Sequence, residues 1–181
     1  MFKKILLLSS ITFTLFLCGC EILEDTSQEE RPTKYVLSFH EVIKYPRSHD
    51  SERKVVSFDG KEYWINANQF FHSRHVEQAK LIPSPDREGY YDLSLKIDYS
   101  GAIKWVQVSM NFQHKKMALL IDGYFYTLYT PDCLTSEDDK WILLKGPFDP
   151  ITAKGIVKYA RKNYIFFNPR KAGLMEMFEN L

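Results

Sequence analysis

The stretch Ala118–Thr130, ALLIDGYFYTLYT, decides how this chain is read. An apolar run ends at Asp122-Gly123, and a run rich in aromatics follows. Asp-Gly between two such runs is a strong hairpin signal, because a type I′ turn needs φ > 0 at both central residues. Simple alternation places Tyr124, Tyr126 and Leu128 on one strand face and Phe125, Thr127 and Tyr129 on the other. Downstream, Trp141–Leu144 reads as a further strand that stops at Gly146-Pro147. A helix then opens with Asp149 as N-cap and Pro150 at the first helical position, where a missing N–H costs nothing. Ile151, Ile156, Val157 and Ala160 approximate a buried helical stripe, which Gly155 weakens.

Upstream, Tyr35–Val42 alternates as a first strand, and Val55–Ile65 reads as a second hairpin turning on Asp59-Gly60. Asn68 or Ser73 is positioned to cap a short helix running to about Lys80, with Val76 and Ala79 inward. Tyr91, Leu93, Leu95, Ile97 and Tyr99 share one face of a strand, with Asp92, Ser94, Lys96 and Asp98 on a solvated face. A helix from Ser100 to about Asn111 carries Ile103, Val106 and Met110 at helical spacing. Tyr164–Phe167 reads as a last strand, and Lys171 onward as a C-terminal helix. Hairpins interspersed with helices predict an α+β fold: a small, mainly antiparallel sheet packed by two or three helices.

The first residues, MFKKILLLSSITFTLFLCGC, set two lysines before an apolar run of about a dozen residues, the length of a signal-peptide core rather than a membrane span. Leu17-Cys18-Gly19-Cys20 resembles a bacterial lipobox, with cleavage between Gly19 and Cys20. An ordinary cleaved signal or a membrane helix is the alternative. The lipobox resemblance implies a membrane partner, held through diacylglycerol and acyl chains on Cys20. More than one chain is needed, since each buried CH₂ contributes about 0.8 kcal/mol. Glu21 in place of Asp then favours the outer membrane, facing the periplasm, over the inner membrane.

The divisions expected are a signal segment 1–19, a lipidated cysteine and acidic tether 20–33, a domain 34–168 and a C-terminal helix 169–181. The tether has five acidic residues and one arginine, and thirteen flexible residues span roughly 20 Å. The formal charge is +1 from 24 basic and 23 acidic residues; removing Lys3 and Lys4 with the signal leaves 22 against 23. No basic surplus points to nucleic acid. Only Cys20 and Cys133 would remain after cleavage, so no disulfide framework is expected and Cys133 reads as a loop thiol.

From Asn68 to Asn163 the chain resembles the head subdomain of the first large periplasmic domain of SecD, a protein-export accessory subunit. The likeness rests on an ordered set of segments. They are a short helix ending in Ala79, the break PDRE, YDLSLKIDYSGAIKWV, KKMALLIDG, and LLKGPFDPITAKGIVKYA with Gly146, Phe148 and Ala153. The family places a proline soon after the Asp-Gly turn, whereas here Pro131 follows a longer aromatic strand. Without the family's transmembrane bundle, its proton-coupled motor activity does not carry over. What the resemblance implies is contact with exported polypeptide, and fold likeness is an associational ground for it.

Motifs for chemistry are sparse. His72 and His75 lie three apart, as metal ligands can, but His40, His49 and His114 are scattered, so no metal site is expected. Glu137, Asp138 and Asp139 lack the alternating ligands and turn glycine of a calcium loop. No nucleophile elbow, phosphate loop or dinucleotide fingerprint appears, and no cofactor is expected. The reading is a non-enzymatic, lipid-anchored envelope module that binds polypeptide or another envelope protein. Tyr124, Tyr126 and Tyr129 are its candidate contacts, because tyrosine combines broad apolar area with a polar tip. A hydrolase with a triad assembled across the fold, or a small-molecule carrier, stays open as an alternative.

Overall fold

A computed structural model describes residues 33–47, 50–112, 115–131 and 140–170. The chain divides into Met1–Pro32 and Thr33–Leu181, and every described residue belongs to the second unit. The signal segment, Cys20, the tether, Cys133, the acidic run at 137–139 and the helix expected from Lys171 lie outside the described residues.

In chain order the elements are β1 (Leu37–Ile43), β2 (Glu52–Val56), β3 (Glu62–Asn66) and β4 (Phe71–His72). A 3-10 turn (Ser73–His75) and β5 (Val76–Pro83) follow, then β6 (Tyr91–Ile97), α1 (Tyr99–Phe112) and β7 (Met117–Ile121). The last three are β8 (Tyr124–Tyr129), β9 (Trp141–Phe148) and α2 (Pro150–Phe167). This is the α+β fold expected, with antiparallel pairing throughout, but the strands form two sheets. One runs β2-β3-β1-β7-β8 with β4 also on β1, and the other runs β5-β6-β9.

One core joins both sheets and both helices. Leu37, Phe39, Met117 and Leu119 come from the first sheet, Leu93, Leu95, Ile97, Ile142 and Leu144 from the second. Trp105, Val108 and Phe112 of α1 and Ala153, Ile156 and Ala160 of α2 complete it. Phe39 is central, edge-on to Phe71, Trp105 and Tyr129 at 5.5–6.0 Å between centroids, a favoured geometry for aromatic pairs. A smaller core on the other face of the first sheet holds Val55, Ile65, Ala118, Leu120 and Phe125, with Tyr63 stacked on Phe125.

The β7–β8 hairpin turns where the sequence places it. Ile121 pairs Tyr124, and Asp122 (φ 52) and Gly123 (φ 83) are both left-handed. The Asp122 carboxylate also accepts the backbone N–H groups of Tyr35 and Val36, both at 2.9 Å. The β2–β3 hairpin is looser than expected. Its loop runs from Ser57 to Lys61, closed by Ser57 N–H to Lys61 O, and of the Asp59-Gly60 pair only Gly60 has positive φ. Asp149 caps α2 through Ile151 N–H and Thr152 N–H, with Pro150 opening the helix, as expected.

Several expectations are overturned. The helix predicted from Asn68 or Ser73 to Lys80 is a 3-10 turn and then strand β5, which makes seven register pairs with β6. Helix-favouring residues such as Glu77, Gln78 and Lys80 yield there to strand pairing and to the packing of Val76, Ala79 and Leu81 on the core. Tyr164–Phe167 continues α2 rather than forming a strand, because Tyr164 buries its ring and reaches Asp98 Oδ2 with its hydroxyl at 3.3 Å. β9 does not stop at Gly146-Pro147 but runs through a cis peptide there to Phe148.

The buried face of α1 is Ala102, Trp105, Val108 and Phe112, not Ile103, Val106 and Met110, because its largest ring lodges between Phe39 and Phe71. Ile151 points outward, 75% exposed. Asp92 and Asp98 are buried rather than solvated, since each carboxylate accepts a backbone N–H: Gly146 at 2.8 Å and Gly101 at 2.7 Å. Tyr99 is not on the strand's inner face but heads α1, exposed.

Candidate binding surfaces

A wide cleft follows from how β1 changes partners along its length. Leu37 to Glu41 pair with β7, and Val42 and Ile43 pair with β3 on the opposite side. Pairing with β7 ends at Glu41–Met117, so the β1 edge beyond it has no ladder partner among the described residues. An open-sided groove of about 880 Å³ runs there. Val42, Ile43 and Leu128 make its apolar lining, and Lys44, Arg47, Lys115, Lys116, Glu41 and Glu52 supply its charge. Arg47 N–H donates to Glu52 at 2.7 Å, tying the segment after β1 to the start of β2. Tyr45 stands at this groove 85% exposed. Unpaired strand edges accept extended chains, with main-chain bonds giving affinity and neighbouring pockets giving preference.

The three tyrosines of β8 meet three different fates, because a bulge interrupts their alternation. Leu120 pairs Phe125 but Leu119 pairs Thr127, which makes Tyr126 the extra residue. Phe125 therefore enters the small core while Tyr129 enters the main one, although simple alternation puts both on one face. Tyr124 is 73% exposed, whereas Tyr129 is only 6% exposed.

Tyr126 is a strut. Its ring stacks on Phe148, its hydroxyl donates to Asp149 Oδ2 and accepts from Asp149 N–H, both at 3.1 Å. Burial, with the Asp149 carboxylate beside it, pushes the phenol up to about 12. Burial draws the Asp149 carboxyl upward, but hydrogen bonds from Thr152, Tyr126 and Ile151 outweigh it and leave it below its usual value. Tyr126 and Tyr129 also line a second cleft of about 280 Å³ facing Lys145–Phe148.

His72 and His75 serve the fold, whereas His49 and His114 lie outside the described residues. His72 accepts Arg74 N–H on Nδ1 at 3.0 Å, and its ring meets Phe167 edge-on at 4.8 Å. Burial lowers it to about 4, helped by the charges of Arg74, His75 and His40. His75 Nδ1 lies 3.3 Å from Asp98 Oδ1, and Asp98 gathers Gly101 N–H and the Tyr164 hydroxyl around the start of α1. No group of three His, Cys, Asp or Glu side chains is placed to hold a metal among the described residues.

Ser38 and His40 do meet, Oγ to Nε2 at 3.0 Å, with the other ring nitrogen on Asn66 O at 2.8 Å. Both are buried, burial lowers His40, and a backbone carbonyl stands where a triad has its carboxylate. Neither residue lines the two clefts described above. The open β1 edge and the Asp98 hub were missed from sequence. An aspartate directly before α1, three residues ahead of Gly101, was the available sign of the latter.

No protein-family model matches the chain, and no curated protein matches its sequence. Solved structures do resemble its fold. One, of a membrane component SecDF that enhances protein export, aligns at a TM-score of 0.50 and 15% identity over 77% of this chain and 71% of that one. A second, SecDF in a super-membrane-facing form, aligns at 0.50 and 17% identity over 72% of this chain but 19% of the other. No helix among the described residues is long and apolar enough to cross a membrane. The described domain has a fold like part of SecDF.

Proposed function

We propose that this protein is a non-catalytic, lipid-anchored module of the bacterial envelope that holds extended polypeptide, or an extended segment of another envelope protein. The observation that carries the reading is the groove of about 880 Å³ along the β1 edge that β7 leaves unpaired. An apolar floor flanked by mixed charges suits sequence-tolerant contact, and an open strand edge offers bonds that any backbone can complete. The fold likeness to SecDF, a component that enhances protein export, supports the same direction. The lipobox ending in Gly19-Cys20 supports anchorage through Cys20, with 20–33 as tether and 34–168 as domain, and Glu21 supports the outer membrane.

The test uses residues 33–181, whose described core is self-contained. This domain should bind an unfolded model polypeptide at micromolar or weaker affinity and ignore its folded form, because docking an extended chain costs ordering entropy. Tyr45→Ala and the pair Lys115→Glu, Lys116→Glu should weaken binding several-fold with unchanged melting, since Tyr45 and both lysines are exposed. A wild-type domain that ignores unfolded chains at high micromolar concentration refutes the reading.

A further inference from the structure

The outer face of α2 carries a charge pattern that neither the core nor the groove explains. The helix has four basic residues, Lys154, Lys158, Arg161 and Lys162, and no acidic one. Lys154, Lys158 and Lys162 are exposed and follow one another at four-residue intervals, so they form a stripe with about 6 Å between successive positions. Exposed Ile151 and Ile165 continue the stripe at its two ends, with Phe166 beside the second. None of the three lysines makes an ion pair among the described residues. The concentration of charge is local, because the whole chain has a formal charge of only +1.

The chain also enters the domain on this helix. Asn163 Nδ2 donates to Lys34 O at 2.8 Å. The Tyr35 ring stacks on Tyr159 at 5.9 Å and covers Gly155. An anchor at Cys20 would lie only a short stretch of sequence before this entry point, which favours bilayer contact on this side.

We infer that the α2 stripe is a docking face for an anionic lipid bilayer, with Lys154, Lys158 and Lys162 on the headgroups and Ile165 and Phe166 at the interface. The orientation argument rests on the anchor reading, whereas the charge pattern does not. Each lysine brought to an anionic surface contributes about fivefold in partitioning, and the attraction decays within a Debye length. Aliphatic and aromatic side chains beside such a stripe add apolar contact with the headgroup boundary.

The experiment is vesicle co-sedimentation of residues 33–181, which lack Cys20, so its outcome is independent of lipidation. Phosphatidylcholine vesicles are compared with the same vesicles containing phosphatidylglycerol. The domain should partition into the anionic vesicles, lose that partitioning as salt rises, and stay free of neutral ones. Replacing Lys154, Lys158 and Lys162 together by Gln should weaken partitioning about 100-fold. Arg at the same three positions should preserve it, and both variants should melt like wild type. The inference is overturned by equal partitioning into neutral vesicles, by an unaffected Gln variant, or by no partitioning at low salt. Binding of polyglutamate without binding of vesicles also overturns it, and makes the stripe a site for an acidic protein.

Discussion

Asp122→Gly separates two jobs that one residue performs. Judged as a turn residue, Asp122 is second best: glycine adopts its φ of 52 without strain, so the substitution removes about 1 kcal/mol of left-handed cost. The added freedom of the unfolded chain costs about as much in return. What remains is the loss of two hydrogen bonds at 2.9 Å from Tyr35 N–H and Val36 N–H to the carboxylate. Bonds to a charged acceptor contribute about 1.5–3 kcal/mol when sheltered, and about 1 kcal/mol each is appropriate at this exposed site.

Asp122→Gly should therefore destabilise the domain by about 2 kcal/mol, lowering Tm by about 4–8 °C for a unit near 150 residues. Asp122→Asn keeps one acceptor oxygen and the tolerance for φ > 0, so it should lose about half as much. Urea and thermal melts of residues 33–181 at neutral pH measure both, and amide exchange at Tyr35 and Val36 should accelerate in the Gly variant. A Gly variant as stable as wild type, or more so, would refute the clamp and leave Asp122 a turn residue only.

Two further outcomes test the interior. His72 is held near 4 in the folded state against an ordinary value of 6.5, so the unfolded chain takes up the proton first as pH falls. Its contribution, up to about 3 kcal/mol, is complete above pH 6.5 and lost on descending toward 4; His72→Gln should flatten that slope in urea melts across the window. Gly155→Ala, which helix propensity alone says should stabilise by about 1 kcal/mol, should not do so here, because the new Cβ would lie 2.4–2.6 Å from the Tyr35 ring. In Tyr35→Ala the same change should regain its stabilising sign, and additive melts in the double mutant would show that the two side chains do not meet.

Features set by neighbouring residues were legible in the sequence. Asp122-Gly123 and Asp149-Pro150 act through φ preference and capping, which need only a few adjacent residues, and both stand where they were placed. The alternation of Leu93, Leu95 and Ile97 likewise identified β6 and its buried side. From Val76 to Lys80 the residues suit a helix, yet the seven pairs that Val76–Pro83 makes with β6 make the segment a strand.

The aromatic run of β8 was read as regular alternation, and one bulge at Tyr126 sent Phe125 and Tyr129 to opposite cores. The class of fold, the Asp122-Gly123 turn and the start of α2 follow from the order of residues alone, because local sterics and hydrogen bonding suffice for these. Long-range pairing decided which tyrosine is exposed, which is a strut and which is core, and where β1 is left open. Those outcomes depend on which strand pairs with which, and that competition is settled between residues far apart in the chain.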